Sequence, residues 1–261
     1  YKPQQDGSIA KNKKFITSLI DDNPFISKHY KENLLTLDSV SKERLLFGNW
    51  EYLDDPAQLI DYDKILDSFT NTFVPIGDSY ITCDVARFGN DSTVIGIWSG
   101  FRVRFYQFNG KSVVEVAELI NNFATEHKVP TSNIVCDEDG VGGGVVDILR
   151  CKGFVNNSSP LVNPVTRQKE NFDNLKSQCY FKLADMVNKA ELYIQADGKQ
   201  KQTIIQELEQ VKQKSVDNDM KKGVIPKDKV KAAIGRSPDF SDCLAMRMFF
   251  EYSPRFQVSV F

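Results

Sequence analysis

From residue 79 onward the apolar and polar positions change period several times, and each change predicts an element. Apolar and β-branched residues at Ile81, Cys83, Val85, Val94, Ile95 and Ile97 predict two short strands joined by a Gly-Asn-Asp turn. With a third strand the expected ranges are about 79–86, 92–99 and 101–108, an antiparallel meander. "KSVVEVAELINNFATEH" then has the spacing of an amphipathic helix and leads to the strand "NIVCD". The glycine-rich turn "GVGGG" opens a helix over "VVDILRCKG", and a strand is expected near "LVNPV". A helix over about 172–190, a strand at "ELYIQ" and a helix over "KQKQTIIQELEQVKQK" follow. The last helix is "SPDFSDCLAMRMFFEY", with Ser237 suited to the N-cap and Pro238 to the first helical position. Before Pro75, "KFITSLIDDNPFISKHYKENLLTLDSVSKERLLFGNW" has helical spacing broken by Asn23-Pro24 and stopped by Gly48, which predicts a few short helices. The expected organisation is a small helical segment over 1–75 and an α/β domain over 76–261.

Three carboxylates break this pattern in places that matter. Asp84 falls inside the first strand, where Asp is depleted, on the face shared with Tyr80 and Thr82. Asp137 follows the apolar run Ile134, Val135, Cys136, at the C-terminal end of a strand where α/β sheets place ligands, with Asp139 two residues on as a competing choice. Asp242 shares a helical stripe with Ala245, Met246 and Phe249, and Asp239 lies one turn before it. Singly, each has an ordinary explanation: Asp84 as a strand end, Asp91 as a hairpin-turn residue, Asp137 and Asp139 as helix caps, Asp239 and Asp242 as first-turn acids. Together they resist it, because buried carboxylates that converge need a cation, and all-oxygen ligands select Mg²⁺ or Mn²⁺.

Composition narrows the chemistry. Lys plus Arg number 33 against 35 Asp plus Glu in 261 residues, a net charge of -2, so a polyanion would have to be met by a local basic stripe. The five cysteines, Cys83, Cys136, Cys151, Cys179 and Cys243, show no CxxC or Cys/His spacing. Cys83, Cys136 and Cys243 each abut an acid, but strand neighbours point to opposite faces, so Cys83 and Cys136 are expected in the core. With only His29 and His127, a histidine-centred site is disfavoured. No stretch approaches the roughly 18 apolar residues of a membrane span, and the polar start lacks a signal-peptide core, so a soluble, cytosolic protein is expected. The densest basic run is "MKKGVIPKDKVKAAIGR", with Lys221, Lys222, Lys227, Lys229, Lys231 and Arg236 just before the third acid. It reads as a phosphate track, or else as a solvated hairpin or loop.

"DVARFGNDST", "VCDEDGVGGGVVDIL" and "GRSPDFSDCLAM", supported by "DDNPFISKHYKENLLTL" and "RLLFGNWEY", together resemble the C-terminal nuclease half of the large terminase subunit of tailed bacteriophages, with the end of its motor domain in front. The resemblance spans nearly the whole chain and rests on five motifs in the family's order. It implies a ribonuclease H-like fold and a metal-dependent endonuclease that cuts concematemeric viral DNA in the host bacterial cytoplasm, at the procapsid portal, with the portal protein and small terminase subunit as partners. It carries the three catalytic acids onto Asp84, Asp137 and Asp242, with Asp91 and Asp239 as auxiliary acids. Two metals about 3.5 to 4 Å apart would serve in-line attack, with Asp84 as the bridging ligand. The family's ATPase loop G-x-x-x-x-G-K-[ST] is missing, since "GVGGGVVD" lacks its Lys-Ser/Thr, so no ATPase activity is expected by that route. Two other readings stand beside it. An actin or sugar-kinase type ATP-binding fragment would need a second similar domain, and a docking module with a decayed site would keep the acids without turnover.

Overall fold

The computed structural model of the chain describes residues 55–86, 92–215 and 220–253, with Phe25 and Tyr30. The chain divides into compact units at 1–54 and 55–261. The short helices expected before residue 55 lie outside the described residues except at Phe25 and Tyr30, and Asp91 lies outside them too.

A six-stranded mixed sheet organises the second unit. The meander forms as the alternation predicts: β1 (Ser79–Asp84), β2 (Thr93–Ser99) and β3 (Arg102–Phe108) pair antiparallel, Asp84 opposite Val94 and Ile97 opposite Arg104. Gly100 makes the second turn with φ 62°, and its N–H reaches Asp78 O at 2.8 Å. β4 (Ile134–Asp137) pairs parallel with β1, β5 (Lys152–Phe154) with β4, and β6 (Tyr193–Gln195) with β3, so the order across the sheet is β5-β4-β1-β2-β3-β6.

Each face of the sheet carries its own core. On one, Ile81, Cys83, Ile95, Ile134 and Cys136 meet Val116, Ala117 and Ile120 of α2 (Val113–Glu126) and Val145 of α3 (Gly142–Leu149). On the other, Tyr80, Val94, Trp98, Phe105 and Val135 meet α4 (Leu175–Asn188), α5 (Gly198–Leu208) and α7 (Asp239–Arg247), and Ile60 and Ile65 join this core, Ile65 from the short helix α1 (Tyr62–Asp67). Segment 55–75, expected with the helical part, therefore packs with the sheet. Local signals start the helices: Ser112 and Glu115 form a capping box on α2, and Asn174 and Asp197 cap α4 and α5.

Several expectations need correcting. Near "LVNPV" only an isolated bridge, Val162 to Lys169, forms; Pro160 and Pro164 cannot donate to a ladder. β5 was not expected, being three residues long with a glycine in its middle. The helix over 199–214 stops at Leu208, and the basic run holds a helix, α6 (Lys227–Ile234). The last helix begins at Asp239 with Pro238 as N-cap, and breaks at Met248 before α8 (Phe249–Tyr252).

Candidate active site

Cys83 and Cys136 are partners across β1 and β4, so the next residues, Asp84 and Asp137, end adjacent parallel strands on the same edge and the same face. The third acid arrives from above. α7 is buried along nearly its whole length, Cys243 Sγ donating to Val94 O at 3.1 Å, and this seats Asp242 over the end of β1. Asp84 and Asp242 are 6% and 5% exposed, whereas Asp137 is half-buried and Asp139 exposed. A backbone contact sets the end of β4: Gly142, at the start of α3, lies so close that a Cβ there would collide with the Asp137 carbonyl oxygen.

Asp242 and Asp137 are each held by hydrogen bonds to one oxygen. Asp242 Oδ1 accepts from Lys176 Nζ and from the Tyr180 hydroxyl, both at 2.7 Å. Asp137 Oδ1 accepts from the Asp139 N–H at 3.1 Å and Asn156 Nδ2 at 3.2 Å, and Asn156 also donates to Asp139 Oδ2 at 2.7 Å. Between the two buried acids sits Lys227, its Nζ 2.9 Å from Asp242 Oδ2 and 3.7 Å from Asp84 Oδ2. These are ion-pair distances, yet both buried oxygens lack a hydrogen bond of good geometry.

The electrostatics follow from this crowding. Burial pushes the Asp84 carboxyl well above the ordinary range; Lys227 opposes the shift, while Asp242, Asp239 and Asp137 add to it. Burial also raises Asp137. For Asp242 burial acts in the same sense, but the Lys176 and Lys227 ammonium groups and two hydrogen bonds outweigh it and hold the carboxyl below its usual range. Burial would lower Lys227; Asp242 and Asp84 overcome it and keep the ammonium charged.

The three expected acids thus share one edge of the sheet, with Asp139 beside Asp137 and Asp239 near Asp84. Among the described residues, however, no three Asp, Glu, His or Cys side chains converge closely enough to hold a metal ion. The expected DNA-contacting residues divide. Lys221, Lys222, Lys229 and Lys231 are exposed, Lys227 turns inward to the acids, and Arg236 is tied to Glu207 Oε1 at 2.6 Å and to Thr203 O and Gln206 Oε1 at 3.1 Å each. Glu207 in turn accepts from the Ser241 N–H at 2.8 Å, so Arg236 braces the start of α7. Lys176, Tyr180, Asn156 and Glu207 were not anticipated. A signal existed for two of them: Lys176 and Tyr180 lie one turn apart among the apolar positions Leu175, Cys179 and Leu183.

No protein-family model matches the chain, and no curated protein does either. Solved structures do. The nuclease domain of the large terminase subunit gp2 of bacterial virus Sf6 superposes with a TM-score of 0.64, covering 76% of this chain and 100% of that domain at 20% identity. Point-mutant forms of the same domain, one with manganese and beta-thujaplicinol and one with calcium, each give a TM-score of 0.64 at 19% identity with the same coverage. The chain has the fold of a large-terminase nuclease domain. That fold is ribonuclease H-like: a mixed sheet, antiparallel through β1 to β3 and parallel at its flanks, with helices on both faces. Within the terminase nuclease fold seen here, the three acids occupy the edge formed by the ends of β1 and β4.

Proposed function

We propose that this chain is a metal-dependent DNA endonuclease of a phage packaging terminase, cutting concatemeric viral DNA. The observation that carries the proposal is the pair of buried carboxylate oxygens, Asp84 Oδ2 and Asp242 Oδ2, facing one cation without hydrogen bonds, at the edge where Asp137 also ends its strand. Buried, orphaned carboxylate oxygens are costly unless a cation completes them. The donor chemistry, all carboxylate, is that of Mg²⁺ or Mn²⁺; a two-metal site would require the Lys227 ammonium to withdraw and Asp84, Asp137 and Asp242 to draw closer together than they stand here.

Asp84, Asp137 and Asp242 would hold the ions, with Asp139, Asp91 and Asp239 as auxiliaries. Bound divalent ions would supply Lewis acidity to the scissile phosphodiester and to the attacking water. The chain's own groups do the positioning. Lys176 and Tyr180 fix Asp242 through Oδ1, which aims Oδ2 at Asp84. Asn156 holds Asp137 through its Oδ1. Lys227, on withdrawal, would offer its charge to a substrate phosphate, and the exposed Lys221, Lys222, Lys229 and Lys231 would extend a positive track, with Arg236 as a brace. Residues before the unit that begins at Asp55 would be the end of the motor domain and its linker, and the working partners viral double-stranded DNA, the portal protein and the small terminase subunit, in the host bacterial cytoplasm.

The test is incubation of supercoiled plasmid with the protein in Mn²⁺, beside a chelator control and the variants Asp84→Asn and Asp242→Asn. Wild type should nick and linearise the plasmid, and chelator or either variant should stop it. Intact DNA with wild type, or equal cutting by the variants, leaves a docking module as the better reading.

A further inference from the structure

On the sheet face opposite Asp84, the helical cover is incomplete. α2 and α3 pack over β1, β2 and β4, and Phe123 of α2 reaches Tyr106 and Phe108 of β3. The chain leaves the helix at His127, and beyond it the first half of β3 and the two ends of β6, Tyr193 and Gln195, line an open cleft of about 340 Å³. Arg102, Arg104 and Tyr106 alternate into it from β3, joined by Tyr193 and Gln195 of β6 and by His127.

Two features set this cleft apart from an ordinary solvated face. The first is charge: among the described residues neither Arg102 nor Arg104 forms an ion pair, while Arg236 and Arg247 both do. Of the carboxylates next to lining residues, Glu126 lies 3.8 Å from His127, and Asp78 precedes Ser79. The second is fixation by neutral partners. The Arg102 guanidinium stands 5.0 Å over the Tyr193 ring and reaches Thr72 O at 3.4 Å, and Arg104 donates to Gln195 Oε1 at 3.1 Å. Ring and amide hold the two side chains in place while leaving their charge uncompensated, so part of the ordering cost of binding is met in advance. Their i, i+2 spacing on one strand puts them about 7 Å apart, side by side on the same face.

We infer that the β3/β6 cleft is a second DNA-contacting surface, in which Arg102 and Arg104 grip the phosphodiester backbone of a duplex segment at the face and end of the sheet away from the acids. Two fixed guanidiniums flanked by aromatic rings suit phosphate contact without base readout. The choice of DNA over an acidic peptide rests on the nuclease reading above; the positive, preorganised cleft does not.

Fluorescence anisotropy with a labelled duplex, the chain of residues 1–261 and EDTA separates binding from cutting. For the pair Arg102→Ala/Arg104→Ala we expect affinity to fall about tenfold, and the slope of log K against log salt to become shallower by roughly 1.8, the loss of two phosphate contacts. Gln195→Glu guards against a folding defect, since it sets a carboxylate beside Arg104 without removing an arginine; it should weaken binding in the same direction with about half the change in slope. Wild-type affinity and slope in both variants would overturn the proposal, as would loss of poly-glutamate binding with duplex binding intact. Failure of plasmid cleavage by wild type, with the slope change still present, would sink the nuclease reading and leave this surface standing.

Discussion

Lys227 Nζ sits between Asp84 and Asp242, and its side chain is 39% exposed. It can therefore leave toward solvent without crossing the core. Lys227→Ala should destabilise the metal-free protein by about 1–2 kcal/mol, less than the loss of a fully buried partner because solvent screens part of the attraction. The same variant should gain more than wild type when Mn²⁺ is added, since no ammonium competes for the oxygens. Thermal melts with and without Mn²⁺ read both effects; an equal Mn²⁺ shift in the two proteins would mean that Lys227 does not occupy the ion's place. Tyr180→Phe removes a buried hydrogen bond to a charged oxygen and should cost about 2 kcal/mol by denaturant unfolding. Asp84 and Asp242 were legible in the sequence because an acid inside an apolar strand or stripe breaks a local rule. Lys176 and Tyr180 break that rule as well, but their partner lies more than 60 residues away, and only packing shows it. The role of Lys227 was hidden for the same reason: in sequence it is one cation in a basic run.

Among the elements, the start of α3 carries the most consequence for the site. Gly142→Ala would drive a methyl into the Asp137 carbonyl, so β4 or the helix must shift. A loss of about 1–3 kcal/mol is expected, as for overpacking elsewhere, together with weaker plasmid cleavage because Asp137 moves with its strand. Retention of both stability and cutting would show that the close approach is dispensable. α2 offers a pH probe. Hydrogen bonds from the Ser112 N–H, Lys111 and the Ser112 hydroxyl hold the Glu115 carboxyl down at about 2, below its ordinary 4.5. A depressed folded value means that the cap's contribution is complete above the unfolded pKa and fades as pH falls from 4.5 toward 2. Melts of wild type and Glu115→Gln should thus differ at neutral pH and converge in acid. Such caps are readable because donor and acceptor lie within four residues. β5 was not, since a three-residue strand takes its identity from the neighbour it pairs with rather than from its own pattern.

For the whole molecule, the two-faced sheet explains why the meander and its alternation could be anticipated while the strand order could not. Alternation within β1 assigns each side chain to a face, whereas the parallel pairing of β6 with β3 depends on a connection through α4 that leaves no periodic trace. The domain boundary shows the same division. A change of pattern near Pro75 is visible in the sequence, yet Ile60 and Ile65, both 0% exposed, belong to the core under α4 and α5. Losing either side chain would cost about 2–5 kcal/mol, and losing both approaches the stability of an ordinary domain. A chain of residues 76–261 should therefore lack a cooperative thermal transition, or melt far below a chain of residues 55–261, which keeps both isoleucines and the Asn71 side chain that donates to Leu192 O at 3.1 Å. Calorimetry of the two truncations decides the point, because matching transitions would place the boundary of the folding unit at Pro75 after all.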